Sequence, residues 1–243
     1  MNLAERLAAD YCDWLRAYGE RAEGRFAVQV AGLTLVSLGV DEPWGLQLLA
    51  MPSPPDARAV PEAVAWCRGE LRREPSVMVR AADRASLSTY RVVDEMPALV
   101  APSGGDQHVL EIEVTDDADE FRDLYAATFE MPREPSAALV VGADVGPHRH
   151  LVGRVGGRAV ACAQVRPGPE LAYVNGVGVL PAERGHGYGA AMMTACRVEA
   201  RVHGCELVWL NASPTSVGFY EAIGFELVDT HVALAAPSSA ERT

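Results

Sequence analysis

The stretch VLPAERGHGYGAAMM, residues 179–193, decides how this chain is read. A valine-rich run ends in it, glycines stand at 185, 187 and 189, and Ala190, Ala191, Met192 and Met193 then open a segment of helical composition. When a strand ends in a glycine turn that starts a helix, several main-chain N–H groups can converge on one anion, and the helix dipole adds to the attraction. Phosphate is the usual occupant. Gly185, Gly187 and Gly189 let the backbone approach a ligand without a Cβ in the way, while Arg184 and His186 add charge or hydrogen bonding in an otherwise acidic chain. From these residues alone a plain tight turn is the alternative. No Lys-Ser or Lys-Thr pair follows the last glycine, and the spacing is Gly-x-Gly-x-Gly rather than GxGxxG. Neither a P-loop nor a dinucleotide fold fits.

Composition narrows the setting. The chain has 243 residues, 49% of them apolar and 22% charged, enough for one large core or two modest ones. A net charge of −12 repels phosphate backbones and argues against a nucleic-acid partner. The N-terminal MNLAERLAADYCDWL carries Glu5 and Asp10 where a signal peptide needs basic and then apolar residues, and FAVQVAGLTLVSLGV (26–40) is too short and interrupted to span a bilayer. Five scattered cysteines without a CxxC suggest neither a disulfide framework nor a zinc site. A cytoplasmic protein without a membrane segment is the expectation, and a homodimer is allowed.

Working outward from the turn, the pattern predicts an α/β (α+β) protein. Leu3, Leu7, Tyr11, Leu15 and Tyr18 are helically spaced behind an Asn2/Glu5 capping box, with an end near Gly19. Strands are expected in 26–38, 45–51, 76–80 and 90–100, with a helix over 61–73. APSGGDQH (101–108) reads as a linker, dividing a smaller α/β N-terminal domain, 1–102, from a second domain, 108–237. There the expectation is a strand at 109–114, a helix at 115–129, strands at 150–155, 158–167 and 171–179, the helix after the glycine turn, a strand at 206–210, a short helix starting at Ser213-Pro214 and a strand at 225–234, with a frayed tail. VVDEMPALVAP (92–102) and LVDTHVALAAP (227–237) resemble each other, either as a chance similarity of two strands or because the first domain is a reduced copy of the second one's back half.

Arg184, Gly187 and Gly189 meet the Arg/Gln-x-x-Gly-x-Gly/Ala acyl-CoA motif, Val177, Gly178, Val179 and Pro181 match its usual approach, and Tyr220, Gly224 and Phe225 match a closing Tyr-x-x-x-Gly-Phe element. On these residues the segment 109–236 resembles the GCN5-related N-acetyltransferase (GNAT) family. The resemblance implies a mixed, mostly antiparallel central sheet flanked by helices, whose fourth and fifth strands splay into a V. It implies acetyl-CoA as acyl donor, with pantetheine on the main chain of Val177 and Val179 beside Gly178, and pyrophosphate on the amides of Gly185, His186, Gly187, Tyr188, Gly189 and Ala190. Ser213 stands where the family often has an asparagine that contacts the cofactor.

Acyl transfer to an amine needs a neutral nucleophile, an oxyanion donor and a proton for the departing thiolate. By resemblance Tyr220 is the acid: a phenol pKa of about 10 exceeds that of a thiol near 8.5. The amide of Val177 is the candidate oxyanion donor. Asn175 stands on the fourth strand where family members can carry a residue facing the acceptor, but an asparagine cannot accept the proton and could only orient water or substrate; Glu130, Glu134 and Glu170 are the charged candidates for the general base, with a solvated surface carboxylate as the alternative for each. The acceptor is a small amine or a peptide. His148 and His150 lack an evident third ligand, so they read as surface histidines and no metal is expected, and a Cys205–His203 nucleophile is unnecessary when the amine attacks directly. The N-terminal domain lacks a glycine turn, so it is expected to bind no CoA and to wall part of the acceptor cleft or simply to stabilise. A non-catalytic acyl-CoA sensor or partner-binding module is the alternative function.

Overall fold

Asn2 and Glu5 cap the first helix reciprocally: the Glu5 amide donates to Asn2 Oδ1 and the Asn2 amide to Glu5 Oε2, each at 2.9 Å. The structure is a computed structural model describing residues 1–21, 24–56, 58–104, 110–133, 136, 139–140 and 147–237. Its first helix is α1, Leu3–Arg21. Gly19 does not end it. A Cβ at Gly19 would lie 2.6 Å from the Phe26 carbonyl oxygen, so this glycine serves close approach rather than termination. Contacts sort the chain into two units: Met1–Ala98, Ala212–Gly218 and Leu227–Thr243 in unit 1, Leu99–Asn211 and Phe219–Glu226 in unit 2. Residues 105–109 of the linker region and 238–243 of the tail lie outside the described residues.

In unit 1, β1 (Phe26–Val30) and β2 (Leu33–Ser37) are antiparallel, joined through Ala31 and Gly32 at φ 50° and 81°, the left-handed pair a two-residue hairpin requires. β3 (Leu46–Leu49), α2 (Ala59–Trp66) and β4 (Ser76–Arg80) form a parallel strand–helix–strand unit. β5 (Arg91–Pro102) begins in this unit. The strand order is β1-β2-β3-β4-β11, where β11 (Glu226–Ala235) pairs antiparallel with β4 from His231↔Arg80 to Leu234↔Val77. Alternate strand residues Leu35, Leu48, Val77, Val79 and Val232 pack with Val60 and Val64 of α2. Leu7, Leu15 and Tyr18, a helical stripe, are buried on α1. Each aliphatic side chain so buried stabilises by roughly 1.5–3 kcal/mol, which is why the two periodicities are written so plainly in the sequence.

Unit 2 holds β6 (Glu111–Thr115), α3 (Ala118–Phe129), β7 (Arg149–Val155), β8 (Arg158–Pro167), β9 (Leu171–Val179), α4 (Tyr188–Val202) and β10 (Leu207–Asn211). A short helix, α5 (Val217–Ala222), leads to β11. The order is β10-β9-β8-β7-β6, antiparallel except between β9 and β10. Asp117 starts α3 by accepting from the amides of Asp119 at 3.1 Å and Glu120 at 2.9 Å. On one face of the sheet Cys162 packs with Phe121, Leu124 and Tyr125 of α3. On the other, Gly153 leaves room for Met192 of α4, whose sulfur would lie 2.9 Å from a Cβ there. The fold is thus a mixed, mostly antiparallel sheet flanked by helices. His148 and His150 are buried, not surface residues as the sequence suggests, and His150 stacks on Phe121 with centroids 4.4 Å apart.

Candidate functional site

β9 and β10 run parallel only through Leu171↔Leu207, Ala172↔Val208 and Tyr173↔Trp209; from Val174 to Val179, β9 has no register partner on β10. On its other side β9 bulges. Cys162 opposes Gly178 and Gln164 opposes Asn175, so Gly176 and Val177 face the single residue Ala163. Gly176 takes φ 62° there, and a Cβ on it would come 2.5 Å from the Tyr125 ring. A Cβ on Gly178 would run into the Thr128 hydroxyl. The end of α3 therefore presses against the bulge, and only glycines permit the approach.

Beyond Val179 the chain makes the glycine turn. Gly185 and Gly187 have φ 84° and 78° with open space where a Cβ would be, so backbone conformation, not crowding, requires glycine. Gly189 differs: it is helical, and a Cβ on it would stand 3.3 Å from the Phe219 ring. Gly187 is the N-cap of α4, with no side-chain cap; its carbonyl accepts from Ala191 at 3.1 Å. The amides of Tyr188, Gly189 and Ala190 are the first-turn donors that a helix cannot satisfy internally. They border an open depression of about 350 Å³ lined by Val179, the turn and Phe219. Uncapped amides, the dipole end of a 15-residue helix and glycine backbone make this depression suited to an anion.

Arg184 is tied down beside it. Its guanidinium donates to the carbonyl oxygens of Val179 at 3.2 Å and Thr128 at 2.9 Å, and Nη2 lies 3.8 Å from Glu130. Its charge sits at the turn while its hydrogen bonds join the end of α3 to the end of β9. Glu130, the left-handed C-cap of α3, therefore sits near Arg184 and the turn. His186 is exposed; its Nδ1 lies 3.1 Å from the Glu183 carbonyl oxygen and its ring stacks on Tyr188 at 5.5 Å. Glu170 precedes β9 at the paired end, where its carbonyl accepts from Glu206 at 2.9 Å and Leu207 at 3.3 Å. Glu134 lies outside the described residues. Asn175 is half-buried just past the last β9–β10 pair.

Tyr220 is half-buried on α5, its ring edge-on to Phe219 at 5.0 Å and Phe225 at 5.8 Å. Burial pushes its phenol up to about 12, and the nearby Cys196 thiol adds to the rise. Cys162 is pushed up to about 12 by burial, and Cys196 is raised as well, so both stay protonated thiols. Ser213 falls in unit 1; its hydroxyl pairs with Ser216 at 2.7 Å and Thr215 at 3.1 Å instead of capping the turn. His203 pairs with Glu199 at 3.1 Å, and Cys205 donates to the Gly168 carbonyl at 3.3 Å, so the two face different partners. Two residues of this region were not read from sequence. Phe219 lines the depression, and Thr128 supports both Arg184 and the β9 bulge; only the position of Phe219 beside Tyr220 offered a signal.

A parallel pair that parts beside an uncapped glycine turn leaves strand groups and helix amides open to an extended, anionic ligand. Residues 118–225 match the Acetyltransferase (GNAT) family. Across 98% of this chain and 97% of its own, the fold resembles a GCN5-related N-acetyltransferase from Kribbella flavida, with TM-score 0.73 and 22% identity. A GCN5-related N-acetyltransferase from Sphaerobacter thermophilus is similar over 84% of this chain and 79% of its own, with TM-score 0.60 and 14% identity. A tandem GNAT protein from the clavulanic acid biosynthesis pathway is similar over 98% of this chain and 97% of its own, with TM-score 0.60 and 15% identity. The chain carries a GNAT acetyltransferase domain at residues 118–225 and is an acyltransferase. Among the described residues no helix is long and apolar enough to cross a membrane, and no group of three His, Cys, Asp or Glu side chains could hold a metal.

Proposed function

We propose that the chain transfers an acetyl group from acetyl-CoA to an amine, with both substrates bound together. The separation of β9 from β10 beside the uncapped turn carries this reading. Main-chain polar groups left unpaired in a fold need a ligand or water, and an extended arm ending in a diphosphate has the right form. The amides of Gly185 through Ala190 hold the pyrophosphate, and the main chain of Val177 and Val179, with Gly178 between them, holds pantetheine. When bound, acetyl-CoA supplies a thioester carbonyl for attack by a neutral amine nitrogen, forming C–N, breaking C–S and releasing the amine proton to water. Tyr220 keeps a proton in place for the departing sulfur and regains one from water; its raised phenol stays protonated at neutral pH. The Val177 amide, at the bulge, donates to the carbonyl oxygen as it gains charge. Glu130 lies beside Arg184 at the phosphate end, so it is not assigned the role of base, and water takes the proton.

Unit 1 is read as a second GNAT-like unit that binds no CoA. Its parallel pair stays bonded to the end of β3, with Ala50 donating to Met78 at 2.9 Å, and the turn that follows carries Pro52, Pro54 and Pro55. Proline has no N–H to offer a phosphate. Titration calorimetry with acetyl-CoA, followed by thiol release over an amine panel, tests the reading. Steady release with any amine supports transfer. CoA uptake without release points to an acyl-CoA sensor, and no uptake overturns the assignment.

A further inference from the structure

Beyond the paired end of β9, three carboxamides stand in one row. Arg166↔Tyr173 and Tyr173↔Trp209 are register pairs across β8, β9 and β10, and the Tyr173 and Trp209 rings lie 4.6 Å apart. Two residues on along each strand, on the same face by the pleat, come Gln164, Asn175 and Asn211. Gln164 and Asn175 are register partners; Asn211 closes β10 where it has parted from β9. The face is that of Cys162 and α3, since Gln164 follows Cys162 by two.

Gln164 is 0% exposed, and neither its amide nitrogen nor its amide oxygen has a hydrogen-bond partner among the described residues. Both amide atoms of Asn211 are likewise buried and unpartnered among the described residues. Folded proteins leave few buried polar groups unsatisfied, because each carries its full desolvation penalty. Two such carboxamides flanking Asn175, at the opening between strands, are groups that a ligand would satisfy.

We propose that Gln164, Asn175 and Asn211 recognise the acceptor, and that the acceptor is an amine bearing an uncharged amide group. This rests on the acetyltransferase reading above. A carboxamide offers both a donor and an acceptor, and its complement offers both in return, as an amide does. A carboxylate or a second ammonium on the acceptor would be desolvated here against no opposite charge in the row, and Arg166 in the neighbouring row already has a partner. The order along β9 agrees. The phosphate turn follows Val179, the proposed pantetheine contacts are at Val177 and Val179, and Asn175 lies beyond them.

The test uses the full chain with alaninamide, sec-butylamine and alanine as acceptors, measuring thiol release from acetyl-CoA and, separately, alaninamide binding by calorimetry with CoA present. With every rate referred to the concentration of neutral amine, because an amine beside a carboxamide is far less basic than an alkylamine, alaninamide should exceed the other two in kcat/KM by roughly tenfold or more, since a site built to pair an amide leaves its own groups unpaired with analogues lacking it. Gln164→Met and Asn211→Leu should each reduce that preference at least fivefold and raise Tm, because they remove an unsatisfied buried group, with CoA affinity unchanged. Equal rates for the three amines, or variants that gain Tm and keep the preference, would overturn the proposal while leaving acyl transfer standing. No heat with CoA and no thiol release with any amine would overturn the acetyltransferase reading, and the proposal with it.

Discussion

The Arg184 guanidinium donates to the carbonyl oxygen of Thr128 at 2.9 Å, fastening the last turn of α3 to the glycine turn. That carbonyl is one of the helix-terminal groups that has no partner within a helix. Arg184→Ala should lower CoA affinity about tenfold, the scale of one charge-assisted hydrogen bond, and reduce Tm. Arg184→Lys should recover little, because an ammonium is not a planar fork that can reach the carbonyls of Val179 and Thr128 together. Calorimetry with CoA on both variants is the check; full recovery by lysine would show that charge alone matters.

The three glycines of the turn should respond differently to alanine. Gly185→Ala and Gly187→Ala force a left-handed residue to carry a Cβ, a penalty of about 1–2 kcal/mol, in otherwise open space. Gly189→Ala is conformationally easy in a helix but pushes on Phe219. Denaturant unfolding should therefore show the first two less stable than wild type and Gly189→Ala close to it, while CoA affinity falls in all three.

Tyr220→Phe should lower kcat by about 100-fold, in the range usual for losing one general acid, and leave the CoA dissociation constant within about twofold. Because burial holds the wild-type phenol near 12, the activity profile should show no loss from this group between pH 8 and 10. A fall centred near pH 10 would indicate an unshifted phenol.

Stability should depend on acid through His231. Its ring is fully buried 5.5 Å from Tyr11, and burial lowers its pKa from 6.5 to about 4, with Asp229 opposing the shift and Arg80 adding to it. The folded value lies below the unfolded one, so the stabilisation is present above pH 6.5 and is lost as pH falls towards 4. The loss is about 3 kcal/mol at one pKa unit per 1.36 kcal/mol. Urea unfolding at pH 7 and pH 4.5 measures it, and His231→Gln should flatten the difference.

How much of this was legible in sequence depended on whether each signal was local. The glycine turn was readable because Gly185 and Gly187 are demanded by their own φ angles, a property of single residues. The alternation of β8 and the stripe of α1 were readable because burial repeats with the period of the element. Phe219 was not singled out, because an aromatic on a short helix looks like ordinary core until Gly189 is placed beneath it. Gln164 was invisible within AVACAQVRP, since nothing local tells a buried orphan from a solvated edge residue. The parting of β9 from β10 was expected only through family resemblance, because strand register belongs to pairs of distant segments.

The course of β11 sets a timetable for synthesis. Residues 76–80 leave the ribosome early, yet their antiparallel neighbour is 231–234, more than a hundred positions downstream. Throughout most of translation one flank of β4 must wait with its hydrogen-bonding groups open to water or to a chaperone. An internal stop codon ahead of residue 227 would therefore damage the first-made part of the protein as surely as the last.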